Sequence, residues 1–173
     1  MGVTVARLAE RNMEAARIVM RRFMWSLNDE SGGIGWGTPE AMAECLACHA
    51  ALAEEYSKIL VSFMREEGFY LELPALQRGL MWGIGRLAQV RPELLRTWQA
   101  PRHLLPYLDS EDHIVRALAA RALGLLGVRE AGPAIAGLLQ ETSSITLYAD
   151  GRLSQVSTAS LAKAALAAIP PSP

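Results

Sequence analysis

Apolar and small residues recur every three or four positions along most of the chain, the spacing that places them on one face of an α-helix. The clearest run extends from Ala117 to Leu126, where aliphatic residues form one stripe and Arg116 and Arg121 can reach solvent. The pattern predicts helices over residues 4–28, 39–66, 73–89, 92–99, 102–109, 112–127, 131–141 and 157–169.

One stretch near the C-terminus departs from this helical spacing. The β-prone runs Ile145–Tyr148 and Arg152–Val156 flank Ala149-Asp150-Gly151, and Asp-Gly between two such runs is a strong signal for a hairpin turn. We predict a small β-hairpin inserted between the last two helices. The alternative is an irregular connection of the same length.

The chain also repeats itself. Gly85, Gly124 and Ala167 take equivalent places in the repeat, at spacings of 39 and 43 residues, close to the roughly 40–47 residues of helix-pair solenoids. Met24-Trp25 superimposes on Met81-Trp82 as a weaker fourth copy. The three clear copies align without gaps and share a small residue beside an aliphatic one: they are 80–88, 119–127 and 162–169.

The string LLPYLDSEDHIVRALAARALGLLG over 104–127 resembles the HEAT-repeat pattern, in its phycobilisome-lyase-like variety. Good matching covers about 104–140. The resemblance implies an all-α superhelix, a solenoid of HEAT-like helix pairs. Length and composition predict a single domain spanning 1–173, and the prolines at 170–173 predict a flexible tail. It implies no single activity, because such repeats serve many functions. Handling of a linear tetrapyrrole or of its protein carrier is one possibility that the family suggests.

Composition and charge exclude several classes of partner. Lys plus Arg number 17 and Asp plus Glu 18, so the net charge of -1 provides no basic field for nucleic acid or anionic lipid. Charged residues also recur throughout the first 22 residues, which leaves neither a secretory signal nor a membrane span there. We therefore predict a cytoplasmic protein that binds neither nucleic acid nor membrane.

The most specific local motif is Cys45-x-x-Cys48-His49, the attachment signature of c-type haem. The motif falls inside a strongly helical apolar run, where cysteine is a common core residue, and we favour this structural role. A haem or a metal is the alternative. The three side chains share one helix face, but a metal would need a fourth ligand, for which His103 and His113 are the candidates.

A Gly-rich insert over 29–38 interrupts the N-terminal half. It favours either an ordered connection pinned by Trp36 or a recognition loop, for which the candidate partner-binding residues are Asn28, Asp29, Glu30 and Trp36. The insert lacks the Gly-Lys-Ser/Thr of a phosphate-binding loop. The four tryptophans are predicted to pack in the core and between repeats.

No catalytic constellation is visible in the sequence. The serines lack fixed His and Asp partners, there is no G-x-S-x-G elbow, and the acidic pair Asp29/Glu30 has only its position beside the insert in its favour. We therefore predict a non-enzymatic repeat scaffold that binds a protein partner and needs no cofactor and no metal. The competing hypothesis is a redox or metal protein built on Cys45, Cys48 and His49.

Overall fold

The computed structural model describes residues 1–28 and 35–170, and most of them are helical. This part of the chain forms ten α-helices, three short 3-10 helices (105–109, 129–131 and 138–140) and one two-stranded antiparallel sheet. The α-helices are α1 (Gly2–Arg11), α2 (Met13–Leu27), α3 (Thr38–Cys48), α4 (Ala50–Ser62), α5 (Pro74–Val90), α6 (Pro92–Thr97), α7 (Ala100–Leu104), α8 (His113–Leu125), α9 (Gly132–Gly137) and α10 (Thr158–Ala168). The strands are β1 (Ser144–Ala149) and β2 (Arg152–Ser157).

The predicted hairpin is confirmed. Strand β1 pairs with β2 in antiparallel register, Ala149 opposite Arg152, and the turn residues Asp150 and Gly151 have φ angles of 52° and 77°. Two successive positive φ angles are what a tight two-residue hairpin turn requires, and Asp-Gly tolerates them. Of the predicted tail 170–173, residues 171–173 lie outside the described residues.

Two of the predicted helices, 4–28 and 39–66, are wrong as single elements. The first breaks at Asn12, whose backbone is extended and whose side chain accepts a hydrogen bond from the Ala15 N–H at 3.0 Å. The second breaks at His49, whose Nδ1 accepts from the Leu52 N–H at 3.3 Å. In both places one polar residue caps the next helix, while the hydrophobic spacing continues across the break and hides it.

Five helices pack in succession: α1 contacts α3, α3 contacts α5, α5 contacts α8, and α8 contacts α10. We call these five the helix row. Small residues allow their close approach, because a Cβ built on Gly83 of α5 would stand 2.6 Å from the Cβ of Ala43 on α3. A Cβ on Gly124 of α8 would stand 2.5 Å from the Cβ of Ala165 on α10. Any larger side chain at these positions would push the helices apart.

The other five helices, which we call the second set, pack onto the row: α2 against α1 and α3, α4 against α3 and α6, α6 against α5, α7 against α6 and α8, and α9 against α10. One continuous cluster of buried side chains joins the two sets. Its members include Met20 of α2 and Leu60 of α4 together with Leu46, Ile84 and Leu123 of the row, all fully buried. Across the described residues, no helix is both long enough and apolar enough to span a membrane.

The prediction that all four tryptophans are packing residues is wrong for two of them. Trp25 is 74% exposed and Trp36 is 67% exposed, so Trp36 does not pin the Gly-rich insert. Trp25 lies on α2, outside the helix row, whereas Trp82 lies on α5 within it. The aligned pairs Met24-Trp25 and Met81-Trp82 are therefore not structural equivalents, and that fourth repeat copy is wrong.

Candidate functional site

A cavity of about 610 Å3 opens on the helix row, between α1, α3, α5, α8 and the hairpin. Helices α2, α4, α6, α7 and α9 contribute nothing to its lining. The cavity therefore lies on the side of the row that the second set of helices leaves uncovered, which we call the open face. Its apolar lining includes Val3, Ala41, Trp82, Ile114, Leu118 and Leu153.

Helical spacing explains why these residues meet. Residues three or four apart lie on one helix face, so Glu40 and Glu44 of α3 share a face, as do Arg78, Trp82 and Arg86 of α5. On α8 the same spacing aligns Ile114, Leu118 and Arg121. Since the three helices are neighbours in the row, three short stripes form one continuous surface.

The hairpin closes one side of the cavity and is fastened to α5. The indole N–H of Trp82 donates to the backbone carbonyl of Tyr148 at 2.8 Å, and the two rings lie 6.2 Å apart between centroids. Alternation along β1 buries Ile145 and Leu147 and leaves Thr146 and Tyr148 on the cavity side. Tyr148 pairs with Leu153 across the hairpin, so both side chains form the outer edge of the cavity, 49% and 71% exposed.

Ion pairs join neighbouring elements across the open face. Arg86 of α5 contacts the carboxylate of Glu44 on α3 through its Nε at 2.8 Å and its Nη2 at 3.2 Å. The Arg86 guanidinium lowers the pKa of Glu44 below its usual range. Arg78 of α5 likewise pairs with Asp112 at 2.7 Å, and Asp112 also caps α8 by accepting from the Ile114 N–H at 2.9 Å.

Glu40 lies one turn before Glu44 on the same helix, but its pKa is shifted in the opposite direction. Its carboxyl group packs against the backbone of Gly79, where a Cβ would collide with it. No described residue forms an ion pair with Glu40, and burial in the cavity wall raises its pKa. The burial of a carboxylate without a cation favours its neutral form.

A smaller polar recess of about 140 Å3 adjoins the cavity and shares Glu44, Trp82 and Tyr148 with it. Arg121 of α8 lines this recess, with a terminal guanidinium nitrogen directly over the backbone of Gly85. The expectation that Arg121 reaches solvent is only half right, because the residue is partly buried. Burial lowers the pKa of Arg121, Asp150 opposes that effect, and Arg86 adds to it; an arginine nevertheless stays charged in a protein.

The cysteine motif lies at the end of α3, and its three side chains do not converge. Cys45 is 0% exposed, its thiol lies 3.4 Å from the Gly2 carbonyl oxygen, and burial raises its pKa to about 12. Cys48 is exposed and donates to Glu44 at 3.2 Å, while His49 caps α4. A ligand held by all three would require Cys45 to leave the core.

The metal alternative has no assembled donor set in the described part of the chain. Within residues 1–28 and 35–170, no group of three or more His, Cys, Asp or Glu side chains is arranged to hold a metal ion. His103 lies on α7 and His113 begins α8, and neither joins Cys45 and Cys48 in such a group.

The four candidates around the Gly-rich insert have different outcomes. Asn28 follows α2 as its C-cap, and its side-chain amide donates to the Met24 carbonyl at 2.9 Å. Asp29 and Glu30 lie outside the described residues, and Trp36 is exposed. The described end of the insert does reach the site, because Gly37, with a φ of 71°, is the N-cap of α3 and lines the cavity.

Sequence reasoning missed the central residues of the open face, namely Trp82, Arg121 and Tyr148. A usable signal was present, because Arg78, Trp82 and Arg86 recur every four residues on the side of α5 opposite its aliphatic stripe. Such a stripe indicates a second surface on the helix, although it does not say what that surface contacts.

Compared with known protein families, curated proteins and solved structures, the chain matches none of them.

Proposed function

We propose that this chain is a non-enzymatic scaffold, a HEAT-like solenoid of helix pairs, that binds a protein partner on its open face. The succession of contacts along the helix row supports the solenoid part of the proposal. The aligned segments 80–88, 119–127 and 162–169 fall on α5, α8 and α10, which pack against one another in that order. Solenoids of this kind use an extended surface across several repeats for binding.

The observation that carries the binding role is the cavity itself. Its volume of about 610 Å3 lies within the range of ligand sites, and its lining is mainly apolar. Its edge is formed by the exposed side chains of Tyr148 and Leu153. A concave apolar surface whose aromatic and aliphatic edge is exposed is typical of a protein-interaction site.

The chemistry of the lining favours binding over catalysis. Neither the cavity nor the polar recess is lined by a His, Cys, Ser or Lys side chain among the described residues. Glu44 and Arg78 are engaged in ion pairs that connect helices. These groups hold the wall together, and no Cys, Ser or Lys nucleophile stands beside them or beside Glu40 among the lining residues that the structure describes.

Site-specific photo-cross-linking tests this function. A photoreactive amino acid replaces Leu153 at the cavity edge in cells that produce the chain naturally, and Leu139, which is exposed away from the cavity, is the matched control. We expect a discrete protein adduct from position 153 and none from position 139. The adduct should disappear in Thr146→Trp, because an indole at that exposed hairpin position would project into the cavity and obstruct it.

Equal adducts from both positions, or an adduct that persists in Thr146→Trp, would contradict binding in the cavity. The variant must first show the same helical content and unfolding temperature as the natural chain. A normal unfolding temperature then assigns the loss of the adduct to the blocked cavity.

A further inference from the structure

The cavity and the polar recess form one groove with two chemically different ends. They are contiguous, since Glu44, Trp82 and Tyr148 line both. The larger end is mainly apolar and the smaller end is lined by Arg86, Gln89, Arg121 and Asp150. An occupant that extends along the groove therefore meets an apolar surface and a charged one within a short distance.

The two arginines at the polar end differ in their hydrogen-bonding partners. Arg86 makes two hydrogen bonds to Glu44, whereas Arg121 has no hydrogen-bonding partner among the described residues and receives only a longer-range effect from Asp150. The Arg121 guanidinium is partly removed from water, which carries a desolvation cost, although none of its nitrogens is fully enclosed. An incoming acceptor at Arg121 would offset part of that cost, whereas an acceptor at Arg86 would compete with Glu44.

The other charges in the recess define what kind of acceptor fits. Arg86 and Arg121 are balanced by Glu44 and Asp150, so the recess is close to neutral as a whole. A phosphate would bring nearly two negative charges beside two carboxylates, whereas a carboxylate brings one. A carboxylate also matches the planar guanidinium fork, with which it forms two parallel hydrogen bonds.

We infer that Arg121 is a carboxylate-binding residue, and that the partner's docking segment combines a large apolar side chain in the cavity with a carboxylate at Arg121. The inference rests on the proposed function and adds the chemistry of the partner. The carboxylate is that of an Asp or Glu side chain or that of a C-terminus. Arg121 gives the segment its orientation along the groove, because among the described arginines that line it only Arg121 has no ion pair, and it lies at the polar end.

Peptide selection tests this inference with the full chain. Random 12-residue peptides displayed with free C-termini are selected on the natural chain and, separately, on Arg121→Glu. We expect the first pool to be enriched in a carboxylate close to a large apolar residue, and the second pool to carry Lys or Arg at that position instead. Arg102→Glu, an exposed arginine on α7, is the charge-matched control and should select the first kind of peptide.

Dissociation constants of the selected peptides then show how much Arg121 contributes to binding and which carboxylate it contacts. Arg121→Gln keeps a polar side chain of similar length and should weaken the binding of the first pool about tenfold or more, with the unfolding temperature unchanged. Each peptide is also made with an amidated C-terminus. A loss on amidation identifies the C-terminal carboxylate as the ligand, and a loss on Asp→Asn or Glu→Gln in the peptide identifies a side chain.

Two failures are distinguishable. Peptides that bind the natural chain and are blocked by Thr146→Trp, but lack acidic enrichment and bind Arg121→Gln equally well, would overturn the role of Arg121 and leave the proposed function intact. Peptides that Thr146→Trp does not block, or the absence of any enrichment on the natural chain, would overturn the cavity as a binding site for a protein segment and the inference with it.

Discussion

Helix α5 has two opposite faces, one buried against other helices and one lining the cavity. Leu80, Ile84 and Leu87 are fully buried in the core that the second set of helices covers. Arg78 and Trp82, only two positions away from Leu80 and Ile84, belong to the open face. The chain covers the first face with its own side chains and leaves a cavity on the second. Packing of the core therefore explains the sequence of the first face but not that of the open face.

The largest change in the free energy of unfolding should come from a substitution that separates two helices of the row. Gly124→Val places branched carbons where even a Cβ would meet Ala165, and we expect a loss of about 3 kcal/mol in the free energy of unfolding from forced separation of α8 and α10. Chemical denaturation measures it.

The matched control is Gly137→Ala on α9. A Cβ there meets nothing within 4 Å, so the substitution should stabilise the chain by about 0.5 kcal/mol through its lower backbone entropy when unfolded. Equal behaviour of the two variants would show that the close contact between α8 and α10 does not limit packing.

The ion pair on the open face should have the next largest effect. Glu44→Gln leaves the Arg86 guanidinium partly buried without its carboxylate, and we expect a cost of about 1–2 kcal/mol at pH 7. The folded protein lowers the pKa of Glu44, so its contribution is present above its ordinary value of 4.5 and is lost as the pH falls through the lowered pKa.

Unfolding of Glu44→Gln and of the natural chain at pH 7 and at pH 3 measures this dependence. Their difference should shrink at the lower pH. Glu14→Gln is the control, because the Glu14 carboxylate pairs with Arg21 on the exposed surface of α2 and its loss should leave stability unchanged within error. A cost of Glu44→Gln that is the same at both pH values would contradict the role assigned to the charge.

Glu40→Gln should produce a smaller change of the opposite sign. Burial raises the pKa of Glu40, so the natural chain loses stability as the pH rises from 4.5 through the raised pKa. The neutral amide avoids this loss, and we expect a gain of no more than about 1 kcal/mol at pH 7.5 that vanishes near pH 4.5. A destabilised Glu40→Gln at pH 7.5 would show that the carboxylate has a partner in solution.

The last prediction compares two cysteines of α3, one buried and one exposed, and changes no residue. A thiol reagent at pH 8 should label Cys48 in the folded chain, because it is exposed. Cys45 should react only after unfolding, because it is enclosed and burial raises its pKa to about 12. Mass spectrometry counts the labels, and labelling of Cys45 at the rate of Cys48 would contradict a closed core at α3.

The parts that could be predicted from sequence are those set by local rules. Helical spacing located most helices to within a few residues, and Asp150-Gly151 located the hairpin, because side-chain periodicity and turn geometry act over short distances. The breaks at Asn12 and His49 escaped prediction because one extended residue interrupts the backbone without interrupting the apolar spacing.

The open face could not be predicted, because it depends on long-range placement. Arg121 and Asp150 line one recess only after α8 and the hairpin have packed, and Trp82 meets Tyr148 across 66 residues of sequence. The sequence did contain the stripe of Arg78, Trp82 and Arg86. What it lacked was the information that the second set of helices covers the opposite side.

Fluorine NMR of the chain labelled with 5-fluorotryptophan tests most directly whether the open face is the binding face. Trp82 forms the cavity wall, whereas Trp98 directly follows α6 of the second set and donates to the hydroxyl of Ser57 on α4 at 3.0 Å. On titration with peptides selected on the natural chain, the Trp82 resonance should shift to saturation while that of Trp98 stays in place. A shift confined to Trp98, with Trp82 unmoved, would contradict the account.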